Sequence, residues 1–236
     1  MAVFSPDTPV HASPPAPVDA PTLALLLARA TGAAPAAPAM APGARLGEWI
    51  AWSQAVALSR ALDAPPAEPA EGGAPDAGRL VDECAGARAA LAADIERGPA
   101  AAPASAGFTP FQQHIQSIQR AMHGTTGRLR GELRECLAAG SAEQARLAAV
   151  DAAMEAALSP REAGLLASLP AAVAVGFERL QRPASADGED APPPSPDDGE
   201  PAWLPLFRRE VRDLLLAELD LRFQPVEGLL AALRSP

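Results

Sequence analysis

The chain has 236 residues, a formal charge of −10 and a pI near 4.8. That balance excludes the basic footprint with which nucleic-acid binders displace counterions from phosphate, and it disfavours anionic membrane surfaces for the same reason. Hydrophobic residues make up 48%, but many are Ala and only 4% are aromatic, so a core must rest on Leu, with Val, Ile, Met and Phe in support.

Residues 1–20 are rich in Pro and Ala and predict a disordered tail. A bundle of helices is then expected over 21–182, with flexible linkers near 32–43, 64–76 and 98–107. Thr22 to Ala30 reads as a short apolar helix ending near Gly32. Arg45 to Leu62 reads as one helix with Leu46, Trp49, Ile50, Ser53, Val56 and Ala57 on a stripe that Trp52 leaves. Arg79 to Arg97 carries Leu80, Cys84, Ala87, Leu91 and Ile95 along one side and stops at Gly98-Pro99.

The central segment, Thr109 to Ala138, spans about 45 Å at 1.5 Å per residue. Phe111, Ile115, Ile118, Met122, Thr125 and Leu129 form a heptad-like seam that weakens at Thr125 and Glu132. Such a seam fits a bundle helix better than a free coiled coil. Ser141 and Gln144 make a capping box ahead of Leu147, Val150, Met154 and Leu158. Ser159, Pro160 and Glu162 read as a second helix start, continued by Leu165, Leu166, Leu169, Val173, Phe177 and Leu180 with a kink at Pro170. Three helices joined by tight turns and packed antiparallel are therefore expected.

Residues 183–200 are acidic and Pro-rich and read as a solvated linker. Over 201–236, Trp203 to Phe223 reads as a long helix, and Gln224-Pro225 starts a short terminal one. The whole reads as an all-α, multi-helix bundle of antiparallel helices with Pro/Ala/Gly-rich linkers; no strand pattern emerges.

Familiar catalytic chemistry is missing from this text. All 19 cations are Arg, so no phosphate-cradling Walker lysine exists. The Ala, Arg, Gly and Pro richness matches a GC-biased coding sequence. Gly124, Gly127 and Gly131 fit no dinucleotide fingerprint, and no strand precedes them. His114 and His123 stand nine residues apart, too far to share a metal, and their polar neighbours point to solvent exposure. Cys84 and Cys136 lack any metal-ligand spacing and read as buried thiols in a reducing cytosol. Catalytic residues, cofactors and metals are accordingly expected to be none.

Two surfaces carry a binding reading. Arg120, His123, Arg130 and Arg134 lie opposite the apolar seam and could dock an acidic partner, although such a face is more often simply solvated or paired to the chain's own acids. The Leu-rich stretch from Leu214 to Leu233, including Leu215, Leu219, Val226 and Leu230, could present a groove-binding stripe. Completion of the bundle core is the favoured reading for most of that stretch.

Four blocks carry a family resemblance: Arg45-Leu-Gly-Glu-Trp49 through Leu62, Phe111 to Met122, Arg146 to Leu169, and above all Leu214-Leu-Leu-Ala-Glu-Leu-Asp-Leu-Arg-Phe-Gln-Pro-Val-Glu-Gly-Leu-Leu-Ala-Ala-Leu233. Together they resemble the bacterial domain-of-unknown-function family 3348. That resemblance brings no catalytic motif. It implies genes lying near those of a motor-like inner-membrane protein and an OmpA-like protein, and hence an accessory to an envelope complex. The expectation is a non-enzymatic interaction or adaptor protein with a protein partner, or else a homo-oligomer. An enzyme lacking a recognisable motif and a self-associating structural bundle are the alternatives. The N-terminus lacks the positive start of a signal peptide, and the longest uncharged stretch, Ala163 to Phe177, falls short of the roughly 20 residues a bilayer requires. A cytoplasmic location without a membrane span is expected.

Overall fold

The computed structural model describes residues 22–34, 42–63, 76–99, 107–182 and 200–234. The linker and tail readings for 1–20 and 183–199, and for most of the three internal linkers, lie outside the described residues. The described residues form eight helices and no strand: α1 Thr22–Thr31, α2 Pro42–Trp49, α3 Trp52–Asp63, α4 Ala77–Arg97, α5 Thr109–Ala138, α6 Ala142–Leu166, α7 Leu169–Gln181 and α8 Trp203–Arg234. The protein is all-α, as its periodicity predicts.

α5 is the spine. It packs along α8, α6 and α4, and it buries Phe111, Ile115, Ile118, Met122, Leu129, Leu133, Cys136 and Leu137. The residue that carries the seam past its weak point is Thr126, not Thr125. Its hydroxyl donates to the Met122 carbonyl at 2.9 Å, so a polar side chain can sit in the core without an unpaired group. α8 answers with Leu204, Phe207, Val211, Leu214, Leu215, Leu219, Phe223, Val226 and Leu229. At one end five rings meet: Phe108, Phe111, Phe177, Trp203 and Phe207, with centroids 4.8–6.4 Å apart. α1 closes against α7 and α8, and Gly176 lets α7 approach α1 so closely that a Cβ there would stand 3.0 Å from the Ala30 carbonyl oxygen.

Helix ends differ from the sequence reading at four places. The expected single helix over Arg45–Leu62 breaks at Ile50-Ala51, where the Gln54 side chain accepts from the Ala51 N–H and restarts the helix. Ser159-Pro160 starts nothing: α6 runs through Pro160, whose orphaned carbonyl partner, that of Ala156, belongs to an exposed residue that water can reach. The break comes instead at Ala167-Ser168, and α7 then carries Pro170 within its first turn. Because both break residues keep right-handed helical dihedrals, α6 and α7 form a bent rod and not an antiparallel hairpin. α8 likewise continues unbroken through Pro225, so there is no separate terminal helix.

The tight turn at Gly140-Ser141 stands as read, with both halves of the Ser141–Gln144 capping box formed. By length and composition the Ala142–Gln181 rod is apolar enough to cross a bilayer, with a mean hydropathy of 1.3 over its most apolar window. A core helix meets the same measure, and α7 buries Leu169, Pro170, Val173, Gly176 and Phe177 within the fold.

Candidate functional site

A groove of about 810 Å³ lies between α5, α6 and α8, bordered by α2. Its apolar wall combines Leu46 and Trp49 of α2, Leu158, Leu165 and Leu166 of α6, and Leu221 and Pro225 of α8. Leu165 is 60% exposed, although its neighbour Leu166 is buried. On one helix face the two cannot both turn inward, so Leu165 is left to the groove.

A polar relay fixes the groove's shape at the α6–α7 bend. Pro170 has no N–H, which strips the Leu166 carbonyl of its helical partner four residues on. The Gln119 side-chain amide from α5 takes that place, donating to the Leu166 oxygen at 3.0 Å. The same amide donates at 3.0 Å to Glu218, a carboxylate with 0% exposure on α8. Arg222 donates from Nε to Glu218 at 2.8 Å, and its Nη1 stands 3.9 Å from Glu162 on α6. Gln119, Leu166, Pro170 and Arg222 all line the groove, so its wall is tied to the bend itself.

The basic face of α5 divides in two. Arg130 and Arg134 are held by α6: Arg130 reaches Asp151 at 2.7 Å and Glu155 at 3.2 Å, while Arg134 reaches Asp151 at 3.1 Å and also pairs with Glu155. Both are largely covered, and neither offers the free charge expected for docking an acidic partner. Arg120 and His123, by contrast, are exposed on the groove's rim. The C-terminal stripe follows the core reading and not the groove-binding one: Leu215, Leu219 and Val226 are buried in the core, and Leu230 is half-buried against it, because α8 lies along α4 and α5. Leu215, Leu219 and Val226 hold the bundle together and present no surface.

His114 is half-buried, not solvent-exposed as its neighbours suggest, and burial lowers its pKa, partly opposed by Asp94. Cys84 and Cys136 are buried and not joined in a disulfide, and desolvation pushes both thiols above the ordinary cysteine value. Among the described residues, no three His, Cys, Asp or Glu side chains gather as a metal would require.

Periodicity alone did not mark Leu46, Trp49, Leu165 or Arg222 as groove residues. The one local signal was the Leu165-Leu166 pair, in which one residue had to face outward. No curated protein and no solved structure matches this chain. The family described as "Protein of unknown function (DUF3348)" matches it over residues 10–235, nearly its whole length, and the chain belongs to that family.

Proposed function

We propose that the protein is a non-enzymatic interaction module whose groove receives an amphipathic helix from a partner protein. The carrying observation is the groove's combination of a partly exposed apolar wall, with Leu165 its most exposed residue, and exposed polar groups at the rim. Leu165, Trp49, Leu46 and Leu221 would take residues at i, i+3, i+4 and i+7 of the incoming helix. Arg120 and His123 would meet its flanking acids. The groove's own cations Arg130 and Arg222 are already matched to Asp151, Glu155 and Glu218, so partner charge is read at the rim and not at the base.

Other features support a binding role over a catalytic one. The two thiols are buried with raised pKa values, which suppresses the thiolate that nucleophilic chemistry needs. We read α6–α7 as a core element and not as a span, because α6 carries Asp151 and Glu155 in ion pairs and α7 packs on α1 and α8. The working picture is a cytoplasmic adaptor that engages a helical segment of an envelope assembly.

The test is affinity capture from the source cells with full-length protein, beside Leu165→Asp and the control Val175→Asp. Val175 is a second exposed apolar residue, on α7 and outside the groove. Capture of one partner by wild type and Val175→Asp, lost with Leu165→Asp, is the expected result. Equal capture by all three would remove the groove from the function. Turnover of a small molecule abolished by groove substitutions would favour the enzyme reading.

A further inference from the structure

A second cleft, of about 570 Å³, opens between the C-terminal end of α4 and the first half of α8. Its lining includes Arg97, Arg208, Arg209 and Arg212 against one carboxylate, Glu96. The cations predominate only in the lining, since Asp94, Glu200 and Asp213, which pair with them, lie outside it. The ion pairs these arginines make are peripheral. Arg97 meets Asp94 at 2.8 Å, Arg208 meets Glu200, and Arg212 meets Asp213 at 3.1 Å and Glu96 at 3.6 Å. Arg209 reaches Asp213 at 3.8 Å.

All of these carboxylates are substantially exposed, and pairs of that kind contribute about 0–1 kcal/mol each and exchange easily. Each guanidinium carries five donors, so the pairs leave donors unused.

The second, independent observation is His114 in the same wall. Its Nε2 atom is buried and has no hydrogen-bond partner. A buried polar atom without a partner is costly and marks a place where a missing group belongs. Burial also lowers this imidazole's pKa, partly opposed by Asp94. An anion arriving beside it favours the protonated form, in which Nε2 donates.

We propose that this cleft binds a small organic anion carrying a phosphoryl or carboxylate group, with Arg208 and Arg212 supplying charge-assisted hydrogen bonds and His114 Nε2 supplying a further donor. The cleft has room for an organic group attached to the anion. This site shares no lining residue with the helix-binding groove and stands or falls separately from it.

The test is an NMR titration of the full-length protein with inorganic phosphate, phenyl phosphate and benzoate in turn, following the imidazole signals of His114 and His123. A saturable shift of the His114 signal alone is expected. Phenyl phosphate outranking benzoate identifies a phosphoryl site, and the reverse order identifies a carboxylate site. Arg208→Gln with Arg212→Gln should weaken binding at least about tenfold, roughly the loss of one charge-assisted contact. His114→Gln should weaken it less. Far-UV circular dichroism and the melting temperature establish that each variant is folded. No saturable shift with any of the three probes at millimolar concentration, or an undiminished shift in the folded double variant, overturns the proposal.

Discussion

α5 and α3 are both amphipathic helices, yet they end in opposite circumstances. α5 is enclosed by α4, α6 and α8 and buries nine residues, whereas α3 lies against α6 and buries none. Val56 and Leu58 of α3 are only half-covered, and Trp52 is 84% exposed. A stripe of apolar residues decides which side of a helix turns inward. The number of neighbours that side meets decides how much stabilisation follows. The molecule therefore joins a stable spine to a thin shell, α2 and α3, which contributes Leu46 and Trp49 to the groove. On the proposed function, the spine holds the fold while the shell adds Leu46 and Trp49 to a groove whose floor, at Gln119, Leu166 and Arg222, still belongs to the spine side.

Substitutions should expose the difference between spine and shell. The largest effect is expected from Glu218→Ala, which leaves Arg222 and Gln119 without the buried carboxylate they share. Removing one partner of a buried pair costs about 3–5 kcal/mol, read as a lower urea midpoint. Leu129→Ala, at a fully buried seam position, should cost about 2–5 kcal/mol in the same assay. Val56→Ala on α3 should remain below about 1 kcal/mol, and equal losses at the two sites would erase the distinction between spine and shell. Ser141→Ala, which removes the α6 cap, should fall between them at about 0.5–2 kcal/mol. Trp49→Ala should cost less stability than Leu129→Ala, because Trp49 is only half-buried, while reducing partner capture.

The buried thiols give a pH signature. Folding raises the pKa of Cys84 and Cys136, so the folded state retains protons that the unfolded chain releases. Their contribution is fully present below the unfolded thiol value and is lost as pH rises through the folded value. Stability should decline on the alkaline side, and a thiol reagent at neutral pH should label both cysteines slowly until denaturant is added. Fast labelling of the native protein would contradict the burial.

Much of this was legible in the sequence. The bounds of α5 follow from Pro110 at one end and Gly140-Ser141 at the other, and the α4 stripe of Leu80, Cys84, Leu91 and Ile95 is the buried one. Proline proved ambiguous. Pro170 sits at a break, whereas Pro160 and Pro225 lie inside helices. The outcome depends on what serves the carbonyl four residues earlier: the Gln119 amide for Leu166, and solvent access beside Ala156 and, at the groove, Leu221. None of those environments can be read locally. The groove was illegible for the same reason, since its lining is assembled from five helices, α2, α5, α6, α7 and α8, some of them distant in sequence. Likewise, Arg130 and Arg134 looked like a free basic face until α6 folded back to set Asp151 and Glu155 beside them.

The most direct measurement is photocrosslinking in the source cells from a photoreactive residue at Leu165, with Val175 as the matched control position, followed by mass spectrometry of the attached peptide. A peptide from one partner, with apolar residues at helical spacing and flanking acids, attached at Leu165 but not at Val175, is the expected result. Attachment at both positions alike, or at Leu165 only to a segment without helical apolar spacing, would contradict a helix-receiving groove.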